Sequence, residues 1–150
     1  MMNKVIIDTN VIVGLYDKKD VWHKQAKKLI QIFKEISLDL VVLDCVVNET
    51  FTVLARRLGE RKGKRILVTT LKKVKAAFPK SRITNSYQLI ETNYEALIDN
   101  IIKNNGKINF HDALIITFAI NQNIPFIVSF DEDFDGIAGV TRICDLKMPR

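Results

Sequence analysis

The run Lys4 to Asp8 is β-branched and apolar with no polar alternation, and Leu40 to Leu43 and Phe126 to Phe130 repeat the pattern. A strand of that kind is buried on both faces, as in a parallel sheet covered by helices. Parallel neighbours need a long crossover between them, normally a helix, and the intervening sequence supplies helical periodicity. Trp22, Ala26, Leu29, Ile30 and Phe33 recur at helical spacing after Asp20, a candidate N-cap. Val47, Phe51, Leu54, Ala55 and Leu58 follow Asp44, with Gly59 expected to stop that helix. Further helices are expected from Lys64 to Phe78, from Tyr87 to Asn104 before Asn105-Gly106, and from Asn109 or His111 to about Gln122. Short strands are expected at Arg82 to Asn85 and Val140 to Ile143. The fold class is therefore α/β: a parallel sheet with helices on both faces.

The second constraint is where the acids fall. Ile7-Asp8, Asn48-Glu49, His111-Asp112 and Ser129-Phe130-Asp131 each place a carboxylate at the end of a strand or in the first turns of a helix. In open α/β sheets these positions converge outside the carboxyl ends of the strands, where ligands gather. Two carboxylates about 5 Å apart repel by roughly 3 kcal/mol at an effective dielectric near 20, so a shared pocket calls for a cation. Oxygen-only donors, without Cys or paired His, favour Mg²⁺ or Mn²⁺ over zinc. A metal so held activates water and neutralises a leaving oxygen, the chemistry of phosphodiester hydrolysis.

Charge is unevenly spread. Residues 1–75 carry 16 basic and 8 acidic side chains, and residues 76–150 carry 7 and 9. The excess lies between Arg56 and Lys75, where Arg56, Arg57, Arg61, Lys62, Lys64 and Arg65 are either candidate RNA-phosphate contacts or a solvated helix surface, and Glu60 is the single acid. Without interleaved aromatics this stretch does not specify bases. Trp22 and the phenylalanines at apolar positions are expected in the core, with a partner surface as the alternative for Trp22.

The 150 residues suit one domain, with no repeat or linker, and no apolar run reaches the ~18 to 20 residues of a bilayer span. A soluble cytoplasmic protein is expected. Cys45 and Cys144 lack companions at zinc spacing and read as reduced core thiols. Asp131, Asp133, Asp135 and Gly136 imitate the start of an EF-hand loop, but Arg142 stands where that loop needs its bidentate Glu. Asp8-Thr9-Asn10 resembles a haloacid-dehalogenase nucleophile loop, yet Asn10 cannot act as the second acid. His111 reads as a helix cap or packed side chain, and His23 carries a weaker signal still.

Val5-Ile6-Ile7-Asp8-Thr9-Asn10, then Glu49, then His111-Asp112-Ala113, then Val128-Ser129-Phe130-Asp131-Glu132-Asp133-Phe134 resemble, in order, the signatures of the PIN-domain family. The chain's length is similar to that of the family's VapC-like ribonuclease toxins. The resemblance implies a three-layer α/β/α fold with a parallel sheet of about four to five strands. It also implies a Mg²⁺- or Mn²⁺-dependent ribonuclease with Asp8, Glu49, Asp112 and Asp131 as its acidic cluster. Thr9, Asn10 and Ser129 would be polar supports, and Asp133 would compete with Asp131 for a second metal. A homodimer held in check by an antitoxin is a further implication. The alternatives are a housekeeping RNA-processing nuclease and a non-catalytic RNA-binding or scaffold module. The basic segment between Glu49 and Asp112 is the part expected to vary most among relatives.

Overall fold

In a computed structural model describing residues 3–145, strands and helices alternate along the chain. They are β1 (Lys4–Ile7), α1 (Thr9–Tyr16), α2 (His23–Glu35), β2 (Asp39–Leu43), α3 (Asp44–Lys62), α4 (Lys64–Ala77), β3 (Ile83–Thr84), α5 (Gln88–Lys103), α6 (Phe110–Asn121), β4 (Phe126–Val128) and β5 (Thr141–Ile143). Single 3₁₀ turns occupy Lys80–Arg82 and Glu132–Phe134. The five strands form one parallel sheet in the order β3-β2-β1-β4-β5, in a three-layer α/β/α arrangement.

That order places the site. From β1 the chain winds outward to β2 and β3, then returns to lay β4 on the other side of β1 and β5 beyond it. The winding direction therefore reverses between β1 and β4, the crevice where ligands bind in such sheets. The register pairs Ile6 with Ile127 and Ile7 with Val128, so Asp8 and Ser129 leave the sheet side by side. Val5, Ile6, Ile7, Ile127 and Val128 are at most 1% exposed, which fixes both strand ends against a rigid core. A second apolar cluster of Val13, Leu54, Leu58 and Val74 joins α1, α3 and α4.

Local structure departs from the sequence pattern at several points. Helix α1 carries no amphipathic signal because Thr9, Val11, Ile12, Val13 and Gly14 are all buried, so its apolar residues do not fall on one stripe. Gly59, expected to end α3, lies inside it, and the chain turns only at Gly63, whose φ is +75°. An interior glycine costs a helix about 1 kcal/mol relative to alanine, less than the packing of Leu54 and Leu58 against α4 returns. Asp20 does not cap α2. One of its oxygens accepts the Trp22 amide at 2.9 Å and the other binds Arg57 at 2.6 Å, so the helix starts at His23. Trp22, expected in the core, is 40% exposed.

Asp44 is the first residue of α3 rather than its cap. Its carboxylate accepts the amides of Cys45 and Ser86, each at 2.8 Å, and so ties the start of α3 to the segment after β3. Cys45 and Cys144 are both free thiols, Cys45 buried and Cys144 half-buried. Among the described residues, no helix is long and apolar enough to cross a membrane.

Candidate active site

Asp8 sits at the N-cap of α1, immediately after β1. One of its oxygens accepts the Thr9 amide at 2.7 Å, and the other accepts from Asn10 Nδ2 at 2.8 Å and Ser129 Oγ at 2.6 Å. Asn10 also donates to Ser129 Oγ at 2.9 Å, while its carbonyl oxygen accepts the Phe130 amide at 3.0 Å. This lattice clamps the end of β1 to the end of β4. The Asn10 amide can sit only one way round, because reversing it would put a donor against the Phe130 amide and an acceptor against Asp8. Ser129 Oγ further accepts the Asp131 amide at 3.0 Å, and the Asp131 carboxylate accepts the Asp133 amide at 2.9 Å.

Glu49 arrives from α3. Its Oε2 accepts from Thr9 Oγ1 at 3.1 Å and lies 3.4 Å from His111 Nδ1. Asp112 arrives from α6 through a reciprocal capping box, in which Asn109 Oδ1 accepts the Asp112 amide at 2.9 Å and Asp112 Oδ2 accepts the Asn109 amide at 2.8 Å. That Asn-x-x-Asp spacing is legible in the sequence, and it decides between the two candidate helix starts in favour of Asn109. The contact between His111 and Glu49 is not foreshadowed in the sequence, because it joins residues from separate helices.

Asp8, Thr9, Asn10, Glu49, Asp112 and Asp131 line one open cavity of about 310 Å³, together with Asn109, Trp22 and Arg57. A larger cavity of about 440 Å³ lies against β2 and is lined by Lys4, Lys34 and Arg82, with none of these acids, so size alone does not mark the chemistry. The electrostatics of the acidic cavity are those of crowded like charges. Burial pushes the Asp8 carboxyl up to about 7, against the bonds from Ser129 and Thr9, and the charges of Asp112 and Glu49 add to the rise. Burial likewise lifts Asp112 to about 6, opposed by the Asn109 amide and reinforced by Asp131, Glu49 and Asp133. Glu49 is shifted the other way, chiefly by His111, and His111 is raised in turn by Glu49.

Among the described residues, no three His, Cys, Asp or Glu side chains close on a single point as a preformed metal cage. The acids are instead each held by separate protein groups around the cavity wall. The nearest donors are nearly all oxygens, and Cys45, buried and with its thiol raised to about 11, offers no soft ligand.

The basic candidates divide. Arg57 lines the acidic cavity and bonds to Asp20, while Arg61 bonds to Asp17, so both are tied to the loop between α1 and α2. Arg56, Lys64 and Arg65 are exposed on α3 and α4, and the Lys62 side chain falls outside those described.

The family model for the PIN domain matches residues 5–140, a span that contains every acid of this cavity. The chain belongs to the PIN-domain family. VapC20 of Mycobacterium tuberculosis, a toxin that cleaves the sarcin–ricin loop, superimposes with a TM-score of 0.63 and 22% identity over 91% of this chain and 98% of its own. VapBC2 of Rickettsia felis, solved bound to a DNA fragment from its promoter, gives a TM-score of 0.64 and 17% identity over 93% of this chain and 97% of its matched chain. No curated protein sequence matches the chain. The PIN fold thus accounts for the parallel sheet, and the lattice around Asp8 and Ser129 is how this member builds the rim of its switch-point crevice.

Proposed function

We propose that this PIN domain is a divalent-metal-dependent endoribonuclease and the toxin of a toxin–antitoxin pair. The observation that carries the proposal is the convergence of Asp8, Glu49, Asp112 and Asp131, from four separate segments, on one cavity at the switch point of a PIN fold. VapC20 supplies the precedent for RNA cleavage, and VapBC2 supplies the precedent for a protein partner.

The donor set fits a hard cation. Asp8, Glu49 and Asp112 would hold the principal Mg²⁺ or Mn²⁺, and Asp131 with Asp133 a second one. When bound, the metal supplies a water of lowered pKa and charge neutralisation at the scissile phosphate. The rest of the work falls to the chain. Ser129 and Asn10 hold Asp8 in one rotamer, Thr9 and His111 fix Glu49, and the capping box fixes Asp112, so little reorganisation is left for the reaction itself. The exposed Arg56, Lys64 and Arg65 are suited to phosphates flanking the cut, which an acidic cavity alone would repel. A cognate antitoxin and a homodimeric state complete the reading.

Cleavage of single-stranded RNA, measured with Mg²⁺, with Mn²⁺ and with EDTA, tests it. The wild-type protein should cut only with metal, and Asp8→Asn and Glu49→Gln should lose cleavage while keeping wild-type circular dichroism. Growth arrest on expression, relieved by the product of a neighbouring gene, tests the toxin role separately. Metal-independent cutting, or full activity in Asp8→Asn, overturns the assignment of cleavage to a metal held by these acids.

A further inference from the structure

Trp22 is the single tryptophan of the chain, and it stands at the mouth of the acidic cavity rather than in the core. Its indole stacks on Phe130, with ring centroids 4.8 Å apart and planes 14° from parallel. Phe130 is itself 6% exposed and precedes Asp131 in the cavity wall, whereas Trp22 keeps 40% of its surface open. A buried ring therefore backs an exposed one.

The platform is also fixed in place. The Trp22 amide is held by Asp20, Asp20 is held by Arg57, and the next residue, His23, places Nδ1 2.7 Å from the Gly14 carbonyl oxygen of α1. A side chain at Gly14 would meet Ala26 Cβ at 3.3 Å and Trp22 Cβ at 3.5 Å, so the glycine allows this close approach. Val21, 88% exposed, lines the same cavity, and Arg57 brings a guanidinium to it. Trp22 and Val21 thus leave apolar surface open beside the carboxylates.

We propose that Trp22 is a base-stacking platform, on which an unpaired nucleobase next to the scissile phosphate extends the Trp22–Phe130 stack by one ring. This rests on the nuclease reading and deepens it. Trp22 and the carboxylates line one cavity of about 310 Å³, so a strand whose phosphate lies at the acids passes the indole. Continuity with the acidic cavity favours RNA over a protein segment as the occupant. Every base has a π-face, so the platform selects unpaired nucleotides without selecting sequence. A base inside a duplex is covered on both faces by its neighbours and cannot use it. Arg57 adds a cation at the same wall.

Trp22 emission reports on this position alone, because no other tryptophan contributes. A short single-stranded RNA, titrated into the Asp8→Asn protein with Mg²⁺ present so that the strand stays whole, should quench it saturably, and the same strand annealed to its complement should quench far less. By anisotropy with labelled RNA, Trp22→Ala should bind roughly tenfold more weakly, within the span that base–aromatic stacking supplies, and Trp22→Phe should recover most of the loss. In cleavage assays with metal the loss should appear in KM more than in kcat, which a merely structural defect would not produce. RNA that binds without altering Trp22 emission, or an unchanged affinity in Trp22→Ala, overturns the platform and leaves the nuclease reading standing. Emission that responds to a co-expressed protein and not to RNA overturns it in favour of a partner surface. Absence of metal-dependent cleavage by the wild-type protein sinks both.

Discussion

Replacing Asp17 by Asn removes a charge from a side chain that is only 2% exposed, at the point where the loop after α1 is fastened to α3. Asp17 accepts from the Arg61 guanidinium and from the Lys19 amide at 3.1 Å, with Arg57 Nη1 3.8 Å away. Asparagine keeps the shape, but its single carbonyl oxygen serves either the Lys19 amide, turning an NH₂ toward Arg61, or Arg61 as a weaker neutral acceptor, turning the NH₂ toward Lys19. A hydrogen bond to a charged group contributes about 1.5 to 3 kcal/mol, and Arg61 is partly exposed and can turn to water. The expected loss is therefore about 2 kcal/mol, or a fall in melting temperature of about 4 to 8 °C for a chain of this size.

The pH dependence carries the sharper test. Burial pulls the Asp17 pKa upward, but Arg61, the Lys19 amide and Arg57 together hold it below its ordinary value of 3.8. The unfolded chain thus binds the Asp17 proton more readily than the folded one. The stabilisation is complete above the unfolded value and disappears as pH falls through the folded one. Urea unfolding of the two proteins should show the full gap at pH 7 and a clearly smaller one at about pH 3, below the ordinary value of 3.8. An equal gap at both, or none at pH 7, would refute the assignment of the stability to this ion pair. Pairing Asp17→Asn with Arg61→Gln in a double-mutant cycle isolates the interaction, and independent effects of the two changes would count against it as well.

Asp112→Asn keeps an acceptor for the Asn109 amide while removing one of the repelling charges, so in EDTA at neutral pH it should gain about 1 to 2 kcal/mol as it loses cleavage; added Mn²⁺ should raise the wild-type melting temperature more than the variant's. Gly63→Ala should lose about 1 to 3 kcal/mol in urea unfolding even though an added Cβ meets nothing within 4 Å, because φ +75° with ψ 172° is a backbone region essentially reserved for glycine. Thr50→Val should stabilise by roughly 1 kcal/mol, since the Thr50 hydroxyl is buried without a hydrogen-bond partner among the described residues, and a lower melting temperature would mean that the hydroxyl is satisfied.

The parallel sheet was legible because apolar runs such as Val5-Ile6-Ile7 and Phe126-Ile127-Val128 have no polar side, a pattern set by local burial on both faces. The helix from His23 announced itself through Ala26, Leu29, Ile30 and Phe33, and the one from Phe110 through Ala113, Leu114, Ile116 and Ala119, since the apolar pattern is a short-range property. Helix α1 escaped notice because it is buried around its whole circumference, and the true end of α3 because packing on α4 outweighs the preference of one glycine. The acids could be named from their places at strand ends and helix starts. Their partners could not.

The sequence by itself determined the buried strands and the amphipathic helices, because both follow from side chains a few residues apart, but not the caps, since Asp20 and Asp44 bond elsewhere. Only the tertiary structure decided that Ser129 and Asn10 grip Asp8, that His111 answers Glu49, that Arg57 and Arg61 are tied to Asp20 and Asp17, and that Trp22 leans on Phe130 at the cavity mouth. Most of these contacts join residues dozens of positions apart, brought together by the reversal of winding between β1 and β4 and by the packing of the helices around it. No local pattern encodes a distance across that crevice.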